Sequence, residues 1–80
     1  DVIDNKLVEM MGKRMKIADN IGALKLKNNV AILQNKRWNE ILGKMILEGE
    51  DNNLSEEFML RIYKAIHLES INHQKKILGN

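Results

Sequence analysis

The chain has 80 residues, 44% apolar and 30% charged, with five glycines and neither proline nor cysteine; this is ordinary for one small globular domain and argues against disorder. The lack of cysteine rules out a disulfide framework and a thiolate metal site, and no apolar run approaches the roughly 20 residues that a bilayer requires. With no signal peptide in view, the cytoplasm is the default location. Thirteen basic residues stand against eleven acidic ones, so the pI of about 9.0 hides a nearly balanced charge. Lysines such as Lys13, Lys16, Lys27, Lys75 and Lys76 read as a solvated face, and the basic stripe with interleaved aromatics that nucleic acid would need is missing.

The absence of proline and of alternating apolar residues predicts an all-α chain, one domain over 1–80, with helices at about 2–28, 35–48 and 55–78. In the first, Ile3, Leu7, Met10, Arg14, Ile17, Ile21 and Leu24 follow alternating steps of four and three, the seam of a long packed helix. Arg14 interrupts that seam. A guanidinium with its stem in the core and its donors aimed inward is costly unless an anion or a carboxylate waits for it. Lys25 comes eleven residues later, roughly three turns at about 100° per residue, so the two cations share a face about 16 Å apart along the axis. Two inward cations imply an anion-binding cavity lined by helices. The first helix also raises a question of size: 27 residues span about 40 Å, more than the roughly 30 Å diameter of a compact chain of this length. A second chain is therefore expected to cover the stripe, in a homodimer with the long helices paired or interlocked.

The connection from Asn29 to Leu33, NVAIL, is short and apolar and reads as packed. Asn35, or Gln34 beside it, is the expected cap of the second helix. That helix carries Gln34 and Arg37 one turn apart, ahead of Trp38, Ile41, Leu42, Met45 and Ile46. A cation near a helix start opposes the dipole, so Arg37 is a candidate anion ligand as well as a plain surface residue, and Trp38 reads as core. GEDNNL, from Gly49 to Leu54, is turn chemistry, followed by Ser55 as N-cap with Glu56 and Glu57 in the first turn; Gly79 ends the third helix. The stripe of the third helix, Met59, Ile62, Ile66, Ser70, His73 with Gln74, and Ile77, keeps core spacing while its chemistry turns polar. Ser70 and Gln74, four apart, are neutral donor-acceptor groups that either pair inside a bundle or face a ligand.

Other chemistries lack their residues. His67 and His73 are six apart, off the spacing of a helical metal pair, so no metal site is expected. IGALKLK lacks the phosphate-loop fingerprint, and neither a Ser, His and Asp set nor paired core carboxylates are evident. What remains is Arg14, Lys25, Gln34, Arg37, Ser70 and Gln74: three cations and neutral donors without base or nucleophile. Such a set suits a small polyanion whose reaction needs no proton transfer.

The stretches IDNKLVEMMGKRMKIADNIGALK, ILQNKRW and IHLESINHQ resemble the all-helical, type II chorismate mutases, including the domain found fused to a heptulosonate-phosphate synthase at the head of the shikimate pathway. The resemblance extends over essentially all 80 residues. It implies an intertwined homodimer of three-helix chains, each long helix shared between two active sites, converting chorismate to prephenate in aromatic amino-acid biosynthesis. It also implies a cofactor-free Claisen rearrangement with no covalent intermediate, and a fused or associated heptulosonate-phosphate synthase as a partner. Position by position, Arg14 would bind a substrate carboxylate, Lys25 would contact a carboxylate and the ether oxygen, and Gln74 would donate to that oxygen. Arg37, Ser70 and Gln34 would complete the polar shell. Two departures accompany it: the family's usual acidic residue is Gln34 here and its glutamate is Trp38, which cannot accept from the substrate hydroxyl, while the family's partner-chain arginine would fall three residues before Asp1. Two alternatives are an isochorismate pyruvate lyase, similar in fold and pocket, and a non-catalytic helical dimerisation or regulatory module, for which Arg14 and Gln74 would pair internally and leave no cavity.

Overall fold

A computed structural model describes residues 1–30, 35–77 and 79 of the chain. Its elements are α1 (Val2–Asn28), α2 (Asn35–Asp51) and α3 (Glu56–Ile77) in that order, with no strand among the described residues. Both ends of α1 and the start of α3 have a local cause. Asp1 caps α1, its Oδ1 accepting from the Ile3 N–H at 3.0 Å. Asn29 closes the same helix in the left-handed region at φ 58°, with the Val30 N–H donating to the Lys25 carbonyl at 2.9 Å; asparagine is among the few residues that enter this region at low cost. Ser55 caps α3 as expected, its Oγ accepting from the Phe58 N–H at 3.1 Å. Past the far end of α3, Gly79 sits at φ 81° and its N–H donates to the Lys76 carbonyl.

The second connection is shorter than the sequence implies, because α2 continues through Gly49 to Asp51. Gly49 is buried within the helix, where a Cβ would lie 2.5 Å from Met59 Cγ and 2.8 Å from its Sδ. The glycine read as a turn residue is a packing residue, cut back so that α3 can approach. The turn begins beyond it. Asn53, at φ 62°, donates to the Glu50 carbonyl and Leu54 to the Gly49 carbonyl, the paired bonds that satisfy the last carbonyls of a helix. Of the first connection, Gln34 and most of NVAIL lie outside the described residues.

The helices form two compact units, one of α1 with α3 from Glu69 onward, the other of α2 with α3 as far as Leu68. In the second, Trp38, Ile41, Leu42, Met45 and Ile46 are half-buried along one face of α2, and Met59 is buried. Trp38 stacks on His67, ring centroids 3.9 Å apart and planes 13° from parallel, which bears out its reading as a packing residue.

In the first unit the packed face of α1 is not the stripe counted from the sequence. Ile3, Leu7, Met10, Ile17, Ile21 and Leu24 are all exposed, Ile17 and Leu24 at 58%. Buried instead are Ala18 and Gly22, with Met15, Asp19 and Lys25 half-buried beside them. The reason is distance. A Cβ on Gly22 would stand 3.0 Å from Gln74 Cα, so the α3 backbone comes closer to α1 than any larger side chain would permit. Arg14, expected to bury its stem, is exposed. Among the described residues no helix is long and apolar enough to cross a membrane.

Candidate functional site

Close approach at Gly22 places polar side chains against one another. Lys25, in the last turn of α1, donates from Nζ to Gln74 Oε1 at 2.9 Å. Gln74 Nε2 in turn donates to Ser70 Oγ, four residues earlier on α3, at 3.2 Å. Gln74 is only 6% exposed, the one buried polar side chain among the described residues. Because an ammonium can only donate, the amide must turn its oxygen to Lys25 and its N–H2 toward the serine. Burial pushes the Lys25 ammonium below its ordinary value of 10.5, since desolvation disfavours the charged form. A bound anion would reverse that penalty.

The structure thus joins Lys25, Gln74 and Ser70 by hydrogen bonds. Arg14 stands exposed on the same helix, eleven residues before Lys25 and so about 16 Å from it along the axis. Arg37 is exposed near the start of α2, in the other unit, and Gln34 lies outside the described residues. The lysine and the amide, far apart in sequence, therefore share one site.

Sequence reasoning missed a neighbouring pair. His73 Nδ1 lies 2.8 Å from Asp19 Oδ1, across 54 residues of sequence, and His73 Nε2 lies 3.5 Å from Glu69 Oε2, one turn back on α3. A carboxylate only accepts, so Nδ1 carries the proton. The sequence places His73 on the stripe of α3 and off the spacing of a metal pair, but no local spacing rule links it to Asp19. Among the described residues no group of His, Asp and Glu side chains is arranged to hold a metal.

The chain is thus helical throughout its described elements, with one buried amide held between an ammonium and a hydroxyl. Residues 1–75 match the type II chorismate mutases, and the chain belongs to that family. It is 37% identical over 77 residues to the bifunctional chorismate mutase/prephenate dehydratase of Buchnera aphidicola subsp. Schizaphis graminum, covering 96% of this chain and 20% of that protein. To the protein of the same name from Buchnera aphidicola subsp. Acyrthosiphon pisum it is 34% identical over 76 residues, 95% of this chain and 20% of the relative. The chain thus spans about one fifth of the length of these relatives. Their names pair the mutase with a prephenate dehydratase, in place of the heptulosonate-phosphate synthase that the resemblance implied. No solved structure matches the chain.

Proposed function

We propose that this domain converts chorismate to prephenate, and that Lys25 and Gln74 supply the donors at the breaking bond. The observation that carries the reading is the contact of Lys25 Nζ with a nearly buried Gln74 amide, 2.9 Å apart. In the rearrangement the ether C–O bond breaks as a C–C bond forms within one molecule, and negative charge grows on the ether oxygen while no proton moves. A site for such a step needs donors at that oxygen and clamps on the two carboxylates. The Gln74 amide has two N–H bonds, of which Ser70 takes one; the other is assigned to the ether oxygen, with the Lys25 ammonium beside it. Arg14 suits a carboxylate because its planar fork binds two oxygens at once. Ser70, bonded to the Gln74 amide, completes the polar set on α3. Trp38, whose indole N–H can only donate, offers no acceptor for a substrate hydroxyl. By likeness to the named relatives, a prephenate dehydratase is the activity that consumes the product.

We further propose that two copies assemble through α1. The exposed apolar residues of that helix run from Val2 to Leu26 and are interrupted at Arg14, and exposed apolar surface along a whole helix belongs at an interface. Sedimentation of the purified chain at micromolar concentration is expected to show a dimer, and a folded monomer would contradict it. Incubated with chorismate, the chain should deplete it and form prephenate. A folded protein that leaves chorismate untouched, or that instead releases pyruvate from isochorismate, would overturn the assignment.

A further inference from the structure

In the first unit the closest approach of α1 and α3 is made by small residues. Where α1 and α3 come closest, α1 presents Ala18 and Gly22, and small residues allow approach with little interlocking, so packing at this point is a weak stop against α3 sliding or turning on α1. Yet Gln74 must present its amide at a defined point, since a donor displaced by a fraction of an ångström loses much of its effect. Lys25 tethers the end of that amide, and a second grip, on the backbone that carries it, comes from the residue next to it. His73 donates from Nδ1 to Asp19 Oδ1 at 2.8 Å, short and aimed at an ionised acceptor. The pair is half-buried, with side-chain exposures of 28% and 38%, so water competes less than at an open surface ion pair. Asp19 sits one turn from Gly22 on α1, and His73 precedes Gln74 on α3. Glu69 Oε2, 3.5 Å from His73 Nε2, flanks the ring from its other side.

We infer that the Asp19–His73 pair is a positioning clasp that sets the register of α3 on α1 and thereby holds the Gln74 amide where the reaction needs it. His73 and Asp19 touch no substrate in this scheme; they act through Gln74, and the inference rests on the donor role assigned to Gln74 above. The clasp and the close packing divide the work: Gly22 sets how near the helices come, and the hydrogen bond sets where along one another they stop.

Steady-state kinetics on His73→Ala, Gln74→Ala and the double variant test this, with circular dichroism to confirm folding. Removing the clasp is expected to lower kcat about tenfold, the scale of coupled neighbours, with KM within about twofold. In the Gln74→Ala background the same removal should cost nothing more. His73→Asn, which keeps a side-chain N–H near the place of Nδ1, should recover most of the loss. Equal losses from His73→Ala in both backgrounds, or an effect on KM alone, would reduce the pair to a structural contact and overturn the inference. Parental kcat in folded His73→Ala with a disabled Gln74→Ala would overturn the clasp alone; parental kcat in Gln74→Ala would overturn the donor role and the clasp with it. Should His73→Ala not fold, Asp19→Ala removes the same bond from the α1 side and carries the comparison.

Discussion

Replacing Gly22 by alanine sets helix propensity against geometry. In a helix interior alanine is favoured over glycine by about 0.8–1 kcal/mol, so on local grounds the change should stabilise α1. The added Cβ, however, would lie 3.0 Å from Gln74 Cα and 3.3 Å from its Cγ, whereas ordinary contact begins near 3.4 Å. The nearest atom belongs to backbone, so α3 must withdraw by about 0.4 Å, and overpacking of this kind costs about 1–3 kcal/mol. The two terms leave a net loss of roughly 0–2 kcal/mol. Activity should fall more clearly. If a misplacement of about 1 Å costs on the order of a hundredfold, then about 0.4 Å costs roughly sixfold, and the loss should appear in kcat because it is the donor to the developing charge that moves. Gly12→Ala is the control, since nothing lies within 4 Å of a Cβ there; it should gain about 1 kcal/mol, a few degrees in Tm for a chain of this size, at parental turnover. Both variants would be compared with the parent by thermal melts at one protein concentration and by chorismate turnover. If Gly22→Ala were as stabilising as Gly12→Ala and turned over at the parental rate, the close approach would have no bearing on the site.

Three further outcomes follow from the same geometry. Arg14→Ala should leave the chain folded, because the side chain is exposed, yet lower kcat/KM by about a hundredfold or more through loss of a carboxylate clamp; near-parental kinetics would remove Arg14 from the site. Gln74→Glu should work only while protonated, since an ionised carboxylate cannot donate to an oxygen gaining charge, so its activity should decline as pH rises past the ordinary range for glutamate, about 4.3, while the parent shows no such decline. Profiles of the two proteins that run in parallel would contradict the donor role. Burial holds the Lys25 pKa below 10.5 in the folded chain, so the folded state binds fewer protons than the unfolded one between that lowered value and 10.5. The contribution of Lys25 to stability should therefore rise with pH across this window while turnover falls, and urea titrations beside turnover measured from pH 8 to 11 would expose a single alkaline trend as a contradiction.

What the sequence determined by itself is local. The span of α1 matched its expected bounds at both ends, Ser55 capped α3, and the bond between Gln74 and Ser70 follows from their spacing of four on one helix. Such features depend on neighbours a turn away, and periodicity, capping and turn chemistry report those directly. The polar break in the stripe of α3 was also legible, because Ser70 and Gln74 stand where apolar residues are due at core spacing. Tertiary structure alone decided which face of α1 packs within the chain, that Gly49 is a helix residue making room for Met59, and that Asp19 meets His73. Periodicity counts apolar side chains around a helix and so favours the stripe from Ile3 to Leu24. Within the chain the helix instead packs through Ala18 and Gly22, because the α3 backbone passes close enough to exclude anything larger. How near two distant segments come is a property of both together, and neither segment's own pattern encodes it.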